Sequence, residues 1–331
     1  MIKKSIYIFP IKVNKSKLNP YVLDLVESLS VNNEISNKGG SNYGIFDLIM
    51  YLRCDIFIFN WTENLPKLKF GFLQSCNYLF VTLLIKIFTS KQIIWILHNK
   101  EMHNTKSKLS NAIMKHNALI ADIVVTHAKE GVIYYRDKFK KNNIIYTPHP
   151  IYENVKPILN IPIIYDFILW GNIEPYKNIS KFLEYILKNN YYSEKRILVC
   201  GNCSDKNYLN EINALITPNI TFINEYIEEN RLARMISQAK VVLFCHSSDS
   251  ILSSGALVYS LSYLKPIVAP NVGSFKDYKD INLIKTYNDF SEIEEIVRNF
   301  EPNIDAISNH LIENTWFEFS KFIVSEIKKK K

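Results

Sequence analysis

Residues 249–270 read DSILSSGALVYSLSYLKPIVAP, and the fold follows from how this stretch is parsed. A small-residue turn, Ser253-Ser254-Gly255, opens a run in which Leu257, Leu261 and Leu264 recur at helical spacing. Pro266 ends that run, because the residue before a proline is pushed away from the α region. Ile267-Val268-Ala269 then reads as a short buried strand, and upstream Val241–Cys245 (VVLFC) reads as another. Strand, helix and strand make a βαβ unit. A Ser-Ser-Gly turn at a helix N-terminus offers backbone N–H groups and the positive end of the helix dipole, which suits a phosphate or diphosphate. The same turn can equally be a cap on a packing helix.

The chain has 331 residues, enough for two domains with full cores. Hydrophobic residues at 47% and charged residues at 22% are globular values and exclude a disordered chain. The formal charge is +8, but Lys328 to Lys331 supply half of it, which argues against a broad nucleic-acid face. That lysine tail is either a solvated terminus or a contact for anionic lipid, at about 1 kcal/mol per lysine near the surface. The five cysteines form no regular framework, so buried free thiols in a reducing cytoplasm are expected. Cys200 and Cys203 make a C-x-x-C with no partner pair, which does not describe a metal site. The N-terminus lacks a signal-peptide pattern, and no uninterrupted apolar stretch reads as a bilayer span.

Taken in order, Ser5–Phe9 is a first strand, and Asn19-Pro20-Tyr21 opens a helix with Asn19 as cap and Pro20 at the first helical position. Tyr21 either touches a substrate or only begins the helix. Asp55–Phe59 is a strand that ends in Asn60-Trp61-Thr62-Glu63, where polar and aromatic groups stand at a strand's C-terminal end. Residues 65–88 are apolar and aromatic with lysines 67, 69, 86 and 91 at the flanks, and read as one or two helices covering a sheet or lying at a membrane surface. Ile93–Leu97 is a buried strand followed by His98-Asn99, with Glu101 and His103 beyond; a histidine there can act as a general base or bind a hydroxyl. Asp122–Thr126 and Ile144–Thr147 complete the half, His127 and His149 read as structural, and residues 147–150 read as a linker.

In the second half, Phe167–Trp170 leads into Gly171 and then Lys177 at a helix opening, an anion cradle by composition. Ile197–Cys200 with Gly201 repeats the strand-then-glycine pattern, and Ile220–Ile223, a helix over Leu232–Ala239 and Val241–Cys245 continue the alternation. Strands alternating with helices in both halves predict two doubly wound α/β domains.

These residues carry a resemblance. FILWGNIEPYKNISKFLE (167–184) is similar to the strand–Gly–x–Ile–x–x–Tyr–Lys–Asn/Gly–Ile signature of the C-terminal domain of GT-B glycosyltransferases, of the bacterial polysaccharide and lipopolysaccharide type. SSGALVYSLSYLKPIVAP (253–270) resembles their donor-binding βαβ, WILHNKEMHN (95–104) their W-T-x-H-N segment, and IFNWTEN (58–64) an upstream H-W segment. NPY (19–21) and HPIY (149–152) match as well.

The resemblance implies a GT-B fold, two Rossmann-like domains facing a cleft. An acceptor-binding domain would span 1–152, a nucleotide-sugar-binding domain 153–305, and a helix in 306–331 around Trp316 and Phe319 would return to the first domain ahead of the basic tail. It implies hexosyl transfer in capsule or lipopolysaccharide synthesis, with a nucleotide diphosphate-sugar donor and a glycan or lipid-linked glycan acceptor. The setting would be the cytoplasm, at the cytoplasmic face of the inner membrane, without nucleic acid. His98 and Lys177 are the expected catalytic groups. Gly171, Asn172, Lys177, Gly201, Tyr226, Ser253, Ser254 and Gly255 fall on the donor side, and Asn19, Tyr21, Trp61, Glu63 and Asn99 on the acceptor side. Base and sugar would be read by loops near Gly201, 224–227 and 247–250, and Asp249 can approach the sugar.

The chain departs from the family in places. Ile251 and Tyr259 stand where the large retaining branch has paired glutamates, and Asn172 replaces a frequent arginine. With no Asp-x-Asp, neither a metal nor a cofactor is expected, and Lys177 with a helix dipole would stabilise the leaving group. An epimerase on the same fold and an inactive binding subunit are the alternative readings.

Overall fold

The computed structural model describes residues 3–14, 18–101, 107–247 and 251–329. His103, Asp249 and the end of the lysine tail lie outside them, as do Ser248 and Ser250 of the 247–250 loop. The chain divides into two compact units, one of residues 1–148 with 316–331 and one of residues 149–315.

The first unit is a six-stranded parallel sheet in the order β2-β1-β3-β4-β5-β6, where β1 is Ser5–Phe9, β2 Glu34–Ile35, β3 Ile56–Asn60, β4 Gln92–Leu97, β5 Ile123–Thr126 and β6 Ile144–Tyr146. Its helices are α1 (Pro20–Ser30), α2 (Gly71–Phe88), α3 (Lys108–Ile120) and α4 (Lys129–Phe139). The strands are near-continuous apolar runs because both sheet faces are covered. Alternation still divides the side chains. Ile6, Ile8, Ile56, Ile58, Ile94 and Ile96 point into one core layer, whereas Tyr7, Phe57, Phe59 and Ile93 join Tyr78, Val81 and Ile85 of α2 in the other.

The second unit holds β7 (Tyr165–Trp170), β8 (Ile197–Cys200), β9 (Ile220–Ile223), β10 (Ala239–Leu243), β11 (Ile267–Pro270) and β12 (Lys285–Tyr287), again all parallel, in the order β12-β11-β10-β7-β8-β9. Its helices are α5 (Ile179–Ile186), α6 (Lys206–Asn213), α7 (Glu229–Ser237), α8 (Gly255–Leu261), α9 (Gly273–Asp280), α10 (Ile293–Asn299) and α11 (Ile304–Glu313). The final helix, α12 (Trp316–Lys329), lies in the first unit, where Trp316, Phe319, Ile323 and Ile327 enter the core beside Tyr21, Val22 and Leu25 of α1. A 3, 4, 4 spacing puts those four on one helix face.

The units' limits differ from the ranges 1–152, 153–305 and 306–331. Residues 149–152 group with the second unit, where Ile151 donates its N–H to Asn314 and packs in the core. Residues 306–315 do so too, because Ile307 of α11 is buried in that same core. Among the elements, Ala239 begins β10 and does not end a helix, and the run from Gly255 stops at Leu261, short of Pro266. Leu264 there takes a left-handed conformation (φ 56°), so the chain turns before the proline is reached.

Four cysteines are buried and Cys76 is exposed, and all five are free thiols. No uninterrupted apolar stretch reads as a bilayer span, yet by length and composition α2 as a helix is long and apolar enough to cross a membrane. Its buried face carries Gln74, Ser75, Tyr78 and Thr82.

Candidate functional site

In doubly wound sheets, ligand-binding loops leave the C-terminal strand ends on either side of the point where strand order reverses. In the second unit that point lies between β7 and β10. Gly171 follows β7 at φ 97°, and Gly201 follows β8 at φ 142°, conformations that side chains rarely adopt. A Cβ on Gly201 would stand 2.0 Å from the Gly171 carbonyl oxygen, so the two turns touch through bare backbone. A Cβ on Gly171 would stand 2.9 Å from Lys177 Nζ, which places the ammonium directly over the first glycine turn.

Lys177 sits in a 3-10 turn, Pro175–Lys177, just ahead of α5 and outside the α-helix itself. The residue is only 8% exposed, and its ammonium has no hydrogen bond or ion pair among the described residues. Burial pulls its pKa down to about 8, opposed by the negative charge of Glu174 and by Cys200. A buried cation held against glycine backbone is a site for an anion. The loop after β10 is tied to the same turn, since Ser247 donates both its N–H (2.9 Å) and its hydroxyl (3.1 Å) to the Tyr176 carbonyl. Loops from both sides of the reversal point are thereby joined.

Ser254 caps α8, its hydroxyl accepting from Leu257 N–H at 3.3 Å, with Ser253 half-buried beside it. The helix has seven residues, so its dipole is short. The Tyr152 hydroxyl would lie 2.9 Å from a Cβ on Gly255, and His149 Nε2 at 3.8 Å. His149 Nδ1 donates to the Pro150 carbonyl at 2.7 Å, and burial lowers its pKa to about 4. A neutral imidazole and a phenol therefore flank this turn, a grouping that the expected site did not include. Asn172 is exposed, and Tyr226 is 80% exposed on the loop after β9. Ile251 is buried in the apolar core, and the Tyr259 ring lies edge-on to Trp170 at 5.2 Å and to Tyr152 at 5.6 Å.

In the first unit the order reverses between β1 and β3. Here the structure brings together Tyr21, Trp61 and His98. Trp61 has φ 49°, left-handed for a bulky residue, and its ring stacks on His98 at 4.1 Å and 15°. Tyr21 meets the His98 ring edge-on at 4.8 Å. Asn60 Nδ2 donates to the Phe9 carbonyl at 3.0 Å, which turns its Oδ1 toward His98 Nε2, also at 3.0 Å. His98 Nε2 is then the protonated nitrogen, and Nδ1 is the basic one.

Tyr21 is 2% exposed, so its ring is an inner wall of the cluster. His127 Nδ1 donates to the Thr147 carbonyl at 3.0 Å, and its Nε2 accepts from the Tyr21 hydroxyl at 2.7 Å. Asn19 commits its side-chain oxygen to capping α1, accepting from Tyr21 N–H at 3.0 Å. Glu63 and Asn99 are buried together, Asn99 Nδ2 standing 3.4 Å from Glu63 Oε1. Burial pushes the Glu63 carboxyl up to about 7, against the opposing effect of hydrogen bonds that include the Asn99 amide. Next to it Thr62 accepts from Asn117 at 2.7 Å, and Asn117 accepts from Tyr78 at 2.6 Å. Asn60 and Asn117 are the supports that sequence reasoning missed; Asn60 lay inside the segment singled out, whereas nothing local marks Asn117.

Among the described residues no group of three or more His, Cys, Asp and Glu side chains is arranged to hold a metal ion.

No protein-family profile matches the chain, and no curated protein matches it in sequence. Solved structures do match in fold. The sucrose-phosphate synthase of Thermosynechococcus elongatus superposes with a TM-score of 0.71 at 12% identity over 99% of both chains. Anabaena HepE, solved in complex with UDP, gives 0.69 at 9% identity over 99% of this chain and 100% of its own. TarM gives 0.59 at 12% identity over 83% of this chain, which spans only 54% of TarM. These likenesses show the fold: two Rossmann-like units in the GT-B arrangement of chain order.

Proposed function

We propose that this chain is a glycosyltransferase that moves a sugar from a nucleotide diphosphate-sugar to a surface-glycan acceptor. The acceptor would be lipid-linked, and the reaction would need no bound metal. The observation that carries this reading is Lys177, a buried lysine whose ammonium lies over the Gly171 turn at the strand-order reversal of the second unit. The UDP complex of the structurally similar HepE supports a nucleotide as the anion's source.

In this reading the second unit binds the donor. The acceptor oxygen attacks the anomeric carbon while the bond to the diphosphate breaks, its electron pair leaving on the phosphate oxygen. Lys177 and the 253–255 turn offset the charge that gathers there. The first unit serves the acceptor, with His98 Nδ1 orienting or deprotonating the hydroxyl and the Asn60 amide fixing the ring. Trp61, Glu63 and Asn99 line the acceptor side, while Tyr21 and Asn19 act by positioning. Gly201 and Tyr226 mark the loops that would meet base and sugar. A second reading, a binding subunit without turnover, is favoured by Ile251 and Tyr259, which bring no carboxylate to the donor βαβ.

The test is calorimetric titration with a panel of nucleoside diphosphates and their sugars, with and without chelator. A base-selective affinity that survives chelation is expected. Lys177→Ala should weaken it about 10- to 100-fold, the range for a hydrogen bond to a charged group, without lowering the melting temperature. Binding an anion favours the protonated ammonium, so wild-type affinity should fall as pH rises through about 8, and the variant should lose that dependence. Absence of nucleotide binding, or equal loss of affinity and stability in the variant, overturns the assignment. Donor-dependent release of nucleoside diphosphate separates the transferase from the binding subunit.

A further inference from the structure

The first unit carries a broad apolar surface that neither the fold nor the site uses. On α2, Phe72, Leu73, Phe80, Leu83, Leu84, Ile87 and Phe88 are exposed, Phe72 by 67% and Phe88 by 75%. At 100° per residue these positions fall in one continuous arc of about 160°. The opposite arc, with Gln74, Ser75, Tyr78, Val81, Thr82 and Ile85, is buried. Just ahead of α2, Leu68 and Phe70 are exposed as well. The 3-10 helix Gly44–Tyr51 lies against α2, where Gln74 accepts from Ile45 N–H at 3.1 Å and Asn77 donates to the Ile45 carbonyl at 3.2 Å. That helix adds exposed Ile49 and Met50. Isolated exposed hydrophobics need no explanation, but a contiguous aromatic and aliphatic face does.

Charge says what covers it. Residues 41–91 hold five cations, Arg53 and lysines 67, 69, 86 and 91, against three acids. Asp47 and Glu63 are buried, and Asp55 is hydrogen-bonded to Ser5. Asp122 offsets the Lys86 charge at 2.5 Å, whereas the Lys69 ammonium stands 5.3 Å over the Phe70 ring, so the Lys69 charge sits at the patch itself. An apolar arc flanked by lysines with an aromatic at each end matches an anionic bilayer surface. A second copy of the same face would set these cations against one another.

We infer that the exposed arc of α2, with Leu68, Phe70, Ile49 and Met50, is an in-plane docking surface for a bilayer rich in anionic lipid. The helix lies in the interface and does not span, although its length and composition would allow a crossing. Its inner face is bound into the fold: Thr82 Oγ1 is 2.7 Å from His116 Nε2, and Tyr78 donates to Asn117. Spanning would strip those groups of their partners in hydrocarbon. The inference stands apart from glycosyl transfer, because it uses none of the site residues.

The experiment is flotation of the full chain with vesicles of phosphatidylcholine alone and of equal parts phosphatidylcholine and phosphatidylglycerol. Flotation with the anionic vesicles, reversed by salt, is expected. Replacing Phe72, Phe80 and Ile87 together by serine should weaken binding about tenfold or more with unchanged melting temperature and nucleotide affinity. Phe80→Trp should show a blue-shifted emission on those vesicles. No flotation overturns the inference. So does self-association that the triple substitution abolishes in the absence of flotation, because a second copy would then be the occupant. Unchanged nucleotide binding in every variant keeps either result separate from the proposed activity.

Discussion

Lys177 and Glu63 are both ionisable groups taken out of water, and each answers in the opposite sense. Burial lowers the lysine to about 8 and raises the glutamate to about 7. For Glu63 the unfolded chain releases its proton near the ordinary 4.5 and the folded protein near 7. Between those values the folded state holds more protons, so stability falls as pH rises from about 4.5 to about 7 and is then constant. Glu63→Gln keeps the amide-like shape and removes the ionisation. It should flatten that slope and raise stability above pH 7, on the order of 1–3 kcal/mol. Chemical denaturation of both proteins at pH 5 and pH 8 checks this, and an unchanged pH slope in the variant would contradict a desolvated carboxyl. At this scale much was legible: Trp61, Glu63, His98 and Asn99 are marked by their place after a strand, and Lys177 by its place at a helix opening beyond a glycine turn. Their states were not. The imidazole tautomer of His98 depends on Asn60, and that of His127 on Thr147 and Tyr21, partners 20 to 106 residues away.

At the scale of elements, the glycine turns after β7 and β8 are the features on which the donor-side geometry depends. Gly201→Ala would push a methyl group into the Gly171 carbonyl at 2.0 Å while holding φ near 142°. The turn must open, and Lys177 moves with it. A loss of about 2–4 kcal/mol in stability is expected, with nucleotide affinity reduced at least as far as in Lys177→Ala. Thermal unfolding and calorimetry read both, and a stable variant with full affinity would remove the turn from the site. Element type was readable because each strand is a short apolar run bounded by polar or glycine residues, and β8 and β9 match their expected limits at both ends. Short and weakly apolar pieces were not: β2 has two residues, and β12 is Lys-Thr-Tyr. Such strands are defined by the neighbour they pair with, β1 and β11 respectively, and not by their own pattern.

Across the whole molecule the chain is cut unevenly, since the last helix belongs to the unit that the first residue begins. Trp316, Phe319, Ile323 and Ile327 complete the core around α1, and Gln92 Nε2 donates to the Ile327 carbonyl at 3.1 Å. Ending the chain at Thr315 would strip four large side chains from that core, a loss on the order of 5 kcal/mol or more. Hydrogen exchange should show lost protection in α1 and β1, with β7 to β12 still protected. Equal loss in both sets of strands would show that α12 supports more than its own unit.

The sequence by itself determined the two doubly wound units, the longer apolar strands and their order, and the glycine, lysine and histidine positions beyond strand ends. Those features are local, set by periodicities of two and 3.6 residues and by turn chemistry. Only the tertiary structure decided that Ile307 packs with the second unit, so that the return to the first begins at Trp316, that Tyr21 is an interior wall, and which face of α2 is left exposed. The apolar pattern of α2 runs almost all the way round the helix. Its own residues therefore could not say which arc meets the sheet; the β3 and β4 side chains, Tyr78 and Thr82 with their distant partners, made that choice.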